Sequence, residues 1–156
     1  MMSRDQIGQT IQRASEKCVE SGTKLTDKRI QFLDLMLQAD APLSAYEILD
    51  RYNANSAKSM PPMSAYRILA FLESEQLVHK LSSENKYVAC AHIMCCPEHK
   101  ISQFLICRSC HKVEEIAIDH DIIDSLKQSV AEANYQLMNS QLELDCLCED
   151  CLNDVN

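Results

Sequence analysis

Apolar residues recur at helical spacing through residues 5–21 (Ile7, Ile11, Ala14, Cys18) and give way to Gly22, which predicts a first helix with a glycine stop. Thr26 is placed to cap a second. There Ile30, Leu33 and Leu37 fall at i, i+3 and i+7, with Phe32, Leu35 and Met36 widening the stripe until Ala39-Asp40-Ala41-Pro42 breaks it. Ser44-Ala45-Tyr46-Glu47 has the form of a capping box and starts a third helix through Ile48, Leu49 and Tyr52. After a polar loop at 53–60, Pro61-Pro62 opens a fourth helix. Its inner face is Ala65, Ile68, Leu69 and Leu72, which leaves Ser64, Tyr66, Arg67 and Ala70 outward.

The period then changes. Leu77–Leu81 and Lys86–Cys90, separated by the polar turn Ser82-Ser83-Glu84-Asn85, predict a two-stranded hairpin. Helices followed by such a wing describe a winged helix. Further along, 102–107 and 113–118 read as strands. Residues 122–133 read as a helix with Ile122, Leu126, Val130 and Ala133 on one face, and 135–144 as a third strand. The fold class expected is therefore α/β (α+β). Residues 1–90 form a winged-helix DNA-binding domain, 91–156 a small α/β domain, and the hinge lies at about 88–98.

Charge sharpens this division. The chain carries 15 Lys+Arg against 23 Asp+Glu, a net charge of −8. Residues 1–90 hold 11 of each sign, whereas residues 91–156 hold 4 basic against 12 acidic. The first part is free to present a basic face to DNA; the second is not suited to approach it. In the first part Arg67 is placed to donate a bidentate pair to a guanine edge, with Ser64 and Tyr66 beside it on the recognition helix. Lys24, Lys28, Arg29, Lys58, Lys80 and Lys86 are candidates for phosphate contacts. The polar N-terminus and the lack of any run of about 18 apolar residues lead us to expect a cytoplasmic protein without membrane partners.

Nine cysteines in such a compartment read as metal ligands and free thiols rather than as a disulfide framework. Two Cys-x-x-Cys pairs, Cys107/Cys110 and Cys148/Cys151, each offer two sulfurs from one turn, and together they point to a closed tetrahedral Zn²⁺ site. The 37 residues between the pairs are too many for a single hairpin, so a βαβ-like excursion must separate them. A closed four-thiolate site has no open position for catalysis, so neither an enzyme nor a small-molecule substrate is expected. A thiol oxidoreductase using Cys107 and Cys110 is the alternative. His79, Cys90, His99 and Glu115 form a second set of the right chemistry for an N/S/O zinc site, which spacing alone does not join. His92, Cys95 and Cys96 offer an additional one.

With these residues in view, the sequence resembles the ferric uptake regulator family and, within it, the zinc uptake regulator branch. The resemblance runs from Leu25-Thr26-Asp27-Lys28-Arg29 through Ser44-Ala45-Tyr46, Tyr66-Arg67-Ile68-Leu69, Leu77-Val78-His79-Lys80 and Phe104-Leu105-Ile106-Cys107 to the last Cys-x-x-Cys. It implies a homodimeric repressor of palindromic operators in the bacterial cytoplasm, with two Zn²⁺ per chain. The structural zinc falls at Cys107, Cys110, Cys148 and Cys151 and the regulatory zinc at His79, Cys90, His99 and Glu115. The thiolate of Cys90 favours zinc over iron, manganese, nickel or peroxide as the signal. Four positions depart from the family pattern: Asp27 and Met63 stand where proline is usual, and Gln76 and His111 where glycine is usual. The last two bear on turn geometry, because glycine takes positive φ without strain.

Overall fold

The computed structural model describes residues 2–94 and 101–154. The chain divides into two compact units, Met1–Cys95 and Cys96–Asn156.

In the first unit, α1 (Arg4–Glu20) begins at a capping box. The Ser3 hydroxyl accepts from the Gln6 N–H at 3.2 Å while the Gln6 side chain accepts from the Ser3 N–H at 2.8 Å. It buries Ile7, Thr10, Ala14 and Cys18, and the Thr10 hydroxyl is satisfied by donating to the Gln6 carbonyl at 2.8 Å. Next comes α2 (Asp27–Gln38), where Thr26 occupies the cap position without a side-chain hydrogen bond, so the expected cap is one of position only. The box at Ser44 and Glu47 does form, and it opens α3 (Ala45–Ala54). Pro61 caps α4 (Pro62–Ser74), whose buried residues are Ala65, Leu69 and Leu72.

The wing consists of β1 (Val78–Leu81) and β2 (Lys86–Ala89), antiparallel with Val78 opposite Ala89. Leu43, just before α3, exchanges both backbone hydrogen bonds with Tyr87 and so adds an isolated bridge to the wing. One apolar core runs through this unit, with Phe32, Leu33, Ile48, Leu69, Leu72 and Leu77 all fully buried.

The second unit is a three-stranded sheet of β3 (Ile101–Cys107), β4 (Val113–Ile118) and β5 (Glu143–Cys146) in the order β4-β3-β5. Strand β4 is antiparallel to β3, whereas β5 returns parallel on its other edge with Cys146 opposite Cys107. Between β4 and β5 lies α5 (His120–Glu132), and the described chain ends in α6 (Glu149–Asp154).

Two expectations are corrected here, and one element is added. The third strand covers only 143–146, and residues 135–142 form a loop. That loop is pinned by buried Gln103, whose amide donates to the Ser140 carbonyl at 2.8 Å and accepts from the Leu142 N–H. Helix α5 starts two residues early and buries Ile123 rather than Ile122, which is 56% exposed. The short α6 was not anticipated.

Three helices in the chain close alike. In α1, α4 and α5 the residue two past the helix end has positive φ (Gly22 78°, Gln76 58°, Asn134 64°). Its N–H and that of the next residue return to carbonyls within the last turn: Gly22 to Val19 and Thr23 to Cys18, Gln76 to Glu73 and Leu77 to Leu72, Asn134 to Ala131 and Tyr135 to Val130. Gln76 therefore adopts the left-handed conformation that the family's glycine would take without strain. His111 does the same at φ 61°.

Candidate metal centre and nucleic-acid face

Cys107 ends β3, and Cys110 closes the turn that follows, held by the His111 N–H donating to the Cys107 carbonyl at 2.9 Å. Cys148 precedes α6 and Cys151 lies within it. The topology explains how 37 intervening residues bring the pairs together. Because β5 is parallel to β3, the chain leaves both strands at the same end of the sheet, and both Cys-x-x-Cys turns sit there. The four sulfurs all lie within 4.8 Å of one another, with Cys107 and Cys151 buried.

Zn–S bonds of about 2.3 Å in a tetrahedron set sulfurs about 3.8 Å apart. The Cys110 and Cys148 sulfurs are 3.6 Å apart, well beyond a disulfide bond and close to that edge. The donor set thus fits a four-thiolate zinc site in both chemistry and spacing.

The thiols are electrostatically unequal. N–H groups of Cys110 and Cys148 aimed at Cys107 hold its thiol down to about 6; the Cys148 contact measures 3.4 Å. A hydrogen bond with Ser109 favours the thiolate of Cys151, yet the crowding thiol of Cys148, burial, and the thiols of Cys110 and Cys107 push it up to about 12. Thiols bind a divalent metal as thiolates, so filling such a cluster releases protons.

Of the other predicted ligands, His79 lies on β1 and Cys90 follows β2. The paired strands bring a His79 ring nitrogen and the Cys90 sulfur within 4.8 Å of each other; His79 is half-buried and Cys90 is 3% exposed. The His92 N–H donates to the Cys90 sulfur at 3.4 Å. Glu115 belongs to β4 of the second unit, where it accepts from the Ser102 hydroxyl at 2.5 Å. His99, Cys95 and Cys96 lie outside the described residues.

On α4, Tyr66 and Arg67 are exposed and Ser64 half-buried, so the outer face is the one the helical period predicts. Lys24, Lys28 and Lys58 are exposed; Lys80 and Lys86 are half-buried on the wing, with the Lys80 ammonium 5.9 Å from the Tyr87 ring centre. Arg29 is different. Its guanidinium donates to the Lys24 carbonyl at 2.6 Å and stacks 3.4 Å from the Phe71 ring centre, so part of its donor capacity is taken up within the fold.

Sequence reasoning missed Tyr46, which is 59% exposed at the start of α3 and meets Tyr66 edge-on at 6.4 Å. The only signal was an aromatic residue on the polar side of a helix. From the sequence Cys146 is only a possible substitute for Cys148, disfavoured by its spacing to Cys151; the parallel register sets it beside Cys107.

A helical unit with a wing, followed by a small sheet unit that gathers four thiols, defines a class of two-part metal-dependent DNA-binding proteins. The model of the ferric uptake regulator family matches residues 20–145, and the chain belongs to that family. It is 30% identical over 151 residues to the zinc uptake regulation protein of Escherichia coli (strain K12), an alignment covering 97% of this chain and 86% of that protein. Among solved structures, a zinc uptake regulator complexed with zinc and DNA matches with a TM-score of 0.81 at 29% identity, over 96% of this chain and 97% of that one. Holo XcZur matches with a TM-score of 0.79 at 33% identity, over 93% and 98%.

Proposed function

We propose that this protein is a zinc-responsive transcriptional repressor that acts as a homodimer on palindromic operators of zinc-uptake genes in the bacterial cytoplasm. The observation that carries the zinc reading is the pairing of half-buried His79 with buried Cys90 within one unit. An imidazole and a thiolate together select a borderline-soft ion over iron or manganese. Similarity along nearly the whole chain to zinc uptake regulators, one solved with zinc and DNA, supports the same reading.

In this reading each chain takes two zinc ions with different tasks. Cys107, Cys110, Cys148 and Cys151 hold the structural one. Bound there, zinc supplies the charge that lets four thiolates coexist. His79 and Cys90 from the first unit, with His99 and Glu115 from the second, form the regulatory set and would join the units when it fills. To reverse a 1:99 equilibrium to 99:1, the joined state must be preferred about 10⁴-fold. Exposed apolar side chains on the second unit, including Ile122, Leu144, Leu147 and Leu152, supply surface for a second copy. Two-fold symmetry then sets two α4 helices against the half-sites of a palindrome. Arg67, Tyr66 and Ser64 face the bases, with Lys24, Lys28 and Lys58 along the phosphates.

The test is DNA binding by fluorescence anisotropy across a buffered zinc series, with metal content measured at each point. Two zinc ions per chain are expected, with only the weaker coupled to DNA binding. Arg67→Ala should weaken binding by about 1–3 kcal/mol without altering metal content. Operator binding driven equally well by Fe²⁺ in Cys90→Ala protein would overturn the zinc assignment.

A further inference from the structure

Among the described residues of the second unit, Cys146 is the one cysteine outside the four-sulfur cluster. Its position in the sheet is specific. Laterally paired residues of parallel strands point to the same face, and Cys146 on β5 is paired with Cys107 on β3. Both line one small open cavity of about 70 Å³, together with Cys148 and Lys112.

The backbone holds the two cysteines in this register. The Arg108 N–H donates to the Cys146 carbonyl at 2.9 Å, and the Arg108 guanidinium clasps Asp145, with Nε 2.7 Å from the carboxylate. Neighbouring strands lie about 4.8 Å apart. That spacing is within the roughly 4.4–6.8 Å over which a disulfide can join two Cα atoms. Cys107 is buried, whereas Cys146 is half-exposed and so is the more accessible of the two to a small oxidant.

We propose that Cys146 is an oxidation site for hydrogen peroxide or organic hydroperoxides, and that its oxidised sulfur is captured by Cys107 in a disulfide that dismantles the four-thiol metal site. This rests on the reading that those four thiols hold zinc. In the first step the Cys146 thiolate attacks the peroxide. An S–O bond forms, the O–O bond breaks, and hydroxide or an alkoxide leaves and is protonated to water or an alcohol, giving a sulfenic acid. In the second step the Cys107 sulfur attacks the sulfenic sulfur. The S–S bond forms, the S–O bond breaks, and hydroxide leaves to be protonated to water. Two thiols lose two electrons in total, and one peroxide is reduced. Cys110, Cys148 and Cys151 are then left one thiolate short of a closed tetrahedral set, and zinc is released.

The experiment uses the full-length zinc-loaded protein. Metal content is measured first, then hydrogen peroxide is added with a chromophoric chelator present, and the disulfides are mapped by mass spectrometry over time. Cys107–Cys146 should be the first disulfide to accumulate, and Cys146→Ser and Cys146→Ala should both slow zinc release by about tenfold while starting from the wild-type zinc content. Equal release rates in wild type and both variants would overturn the proposal. So would a first disulfide confined to Cys107, Cys110, Cys148 and Cys151. Protein with no zinc at these thiols before oxidant is added would instead fail the structural-metal reading, and this proposal with it.

Discussion

The two units of this chain are held together in different ways. The first buries a continuous apolar core drawn from four helices and a wing. Among the described residues, the second fully buries only Phe104, Ile106, Ile123 and Gln103, with Cys107 and Cys151 nearly so, and leaves Tyr135 77% and Met138 88% exposed. A small sheet with so thin a core does not offset the entropy of ordering its chain by apolar burial alone. Its four convergent thiols and its uncovered apolar face indicate what makes up the difference: a metal ion and a second copy. The difference teaches that metal dependence in this molecule starts as a question of stability, before any question of signalling.

The strongest way to break the comparison is to remove the structural metal. Zinc binding to four-ligand sites is worth about 10–16 kcal/mol in small zinc-dependent domains, more than the whole stability of most domains. Exhaustive chelation, or Cys148→Ser, should therefore collapse the amide dispersion of residues 101–154 in a ¹⁵N spectrum while leaving that of residues 2–94 folded. Simultaneous loss of both units would refute the independence of the first. The converse experiment is Phe32→Ala. Phe32 is fully buried and packs 5.3 Å from the Tyr52 ring, and its loss should cost about 3–5 kcal/mol. Denaturant unfolding should then show the first unit melting early while zinc stays bound to the second.

The same contrast explains what was legible in the sequence. In the first unit each helix announced itself through a 3.6-residue stripe and a local stop or start, as at Gly22, Ser44 and Pro61-Pro62, because the buried face and the termini are both encoded nearby. In the second unit the four cysteines were legible because thiol spacing is itself chemistry, but the scaffold around them was less so. The apolar stripe from Ile122 is only partly inward, with Ile122 exposed, Leu126 and Val130 half-buried and the neighbouring Ile123 fully buried, so the period alone misplaced the centre of the buried face. Residues 135–142 read as strand until a long-range contact decided otherwise. No local pattern reveals that Gln103, 37 residues before Ser140, holds that loop. The sequence offers Cys146 only as a substitute for Cys148, and its neighbour Cys107 was not legible for a related reason, because a parallel register set by β3 supplies it.

A smaller effect sharpens the comparison at the helix ends. Gln76 sits at φ 58° beyond α4, where an L side chain is strained, and Asn134 beyond α5 adopts φ 64°, which asparagine tolerates better. Gln76→Gly should stabilise the first unit by about 1 kcal/mol, because relief of the left-handed strain outweighs glycine's greater freedom in the unfolded chain. Asn134→Gly should change the second unit by less. Thermal melts of the zinc-loaded protein, followed separately for the two units, would expose the reverse ranking if it held.

The smallest expected effect concerns Glu47, and its sign follows from the capping box. The Ser44 N–H donates to the Glu47 carboxylate at 2.6 Å, and with lesser help from the Ser44 hydroxyl, Lys86 and Arg51 it holds the carboxyl below its usual value of 4.5. A carboxyl whose pKa is lower in the folded state than in the unfolded one adds stability above the unfolded value and loses it as pH falls through the folded value. The first unit should accordingly lose this contribution below about pH 4.5, while Glu47→Gln flattens that part of its pH dependence. Since Glu47 is exposed, solvent screening limits the gain at neutral pH to about 0.3–1 kcal/mol. Urea titrations of both proteins at pH 7 and pH 4 would measure it: the gap between wild type and Glu47→Gln should narrow at the lower pH, and a gap that widened would show that the charge on Glu47 opposes the helix start.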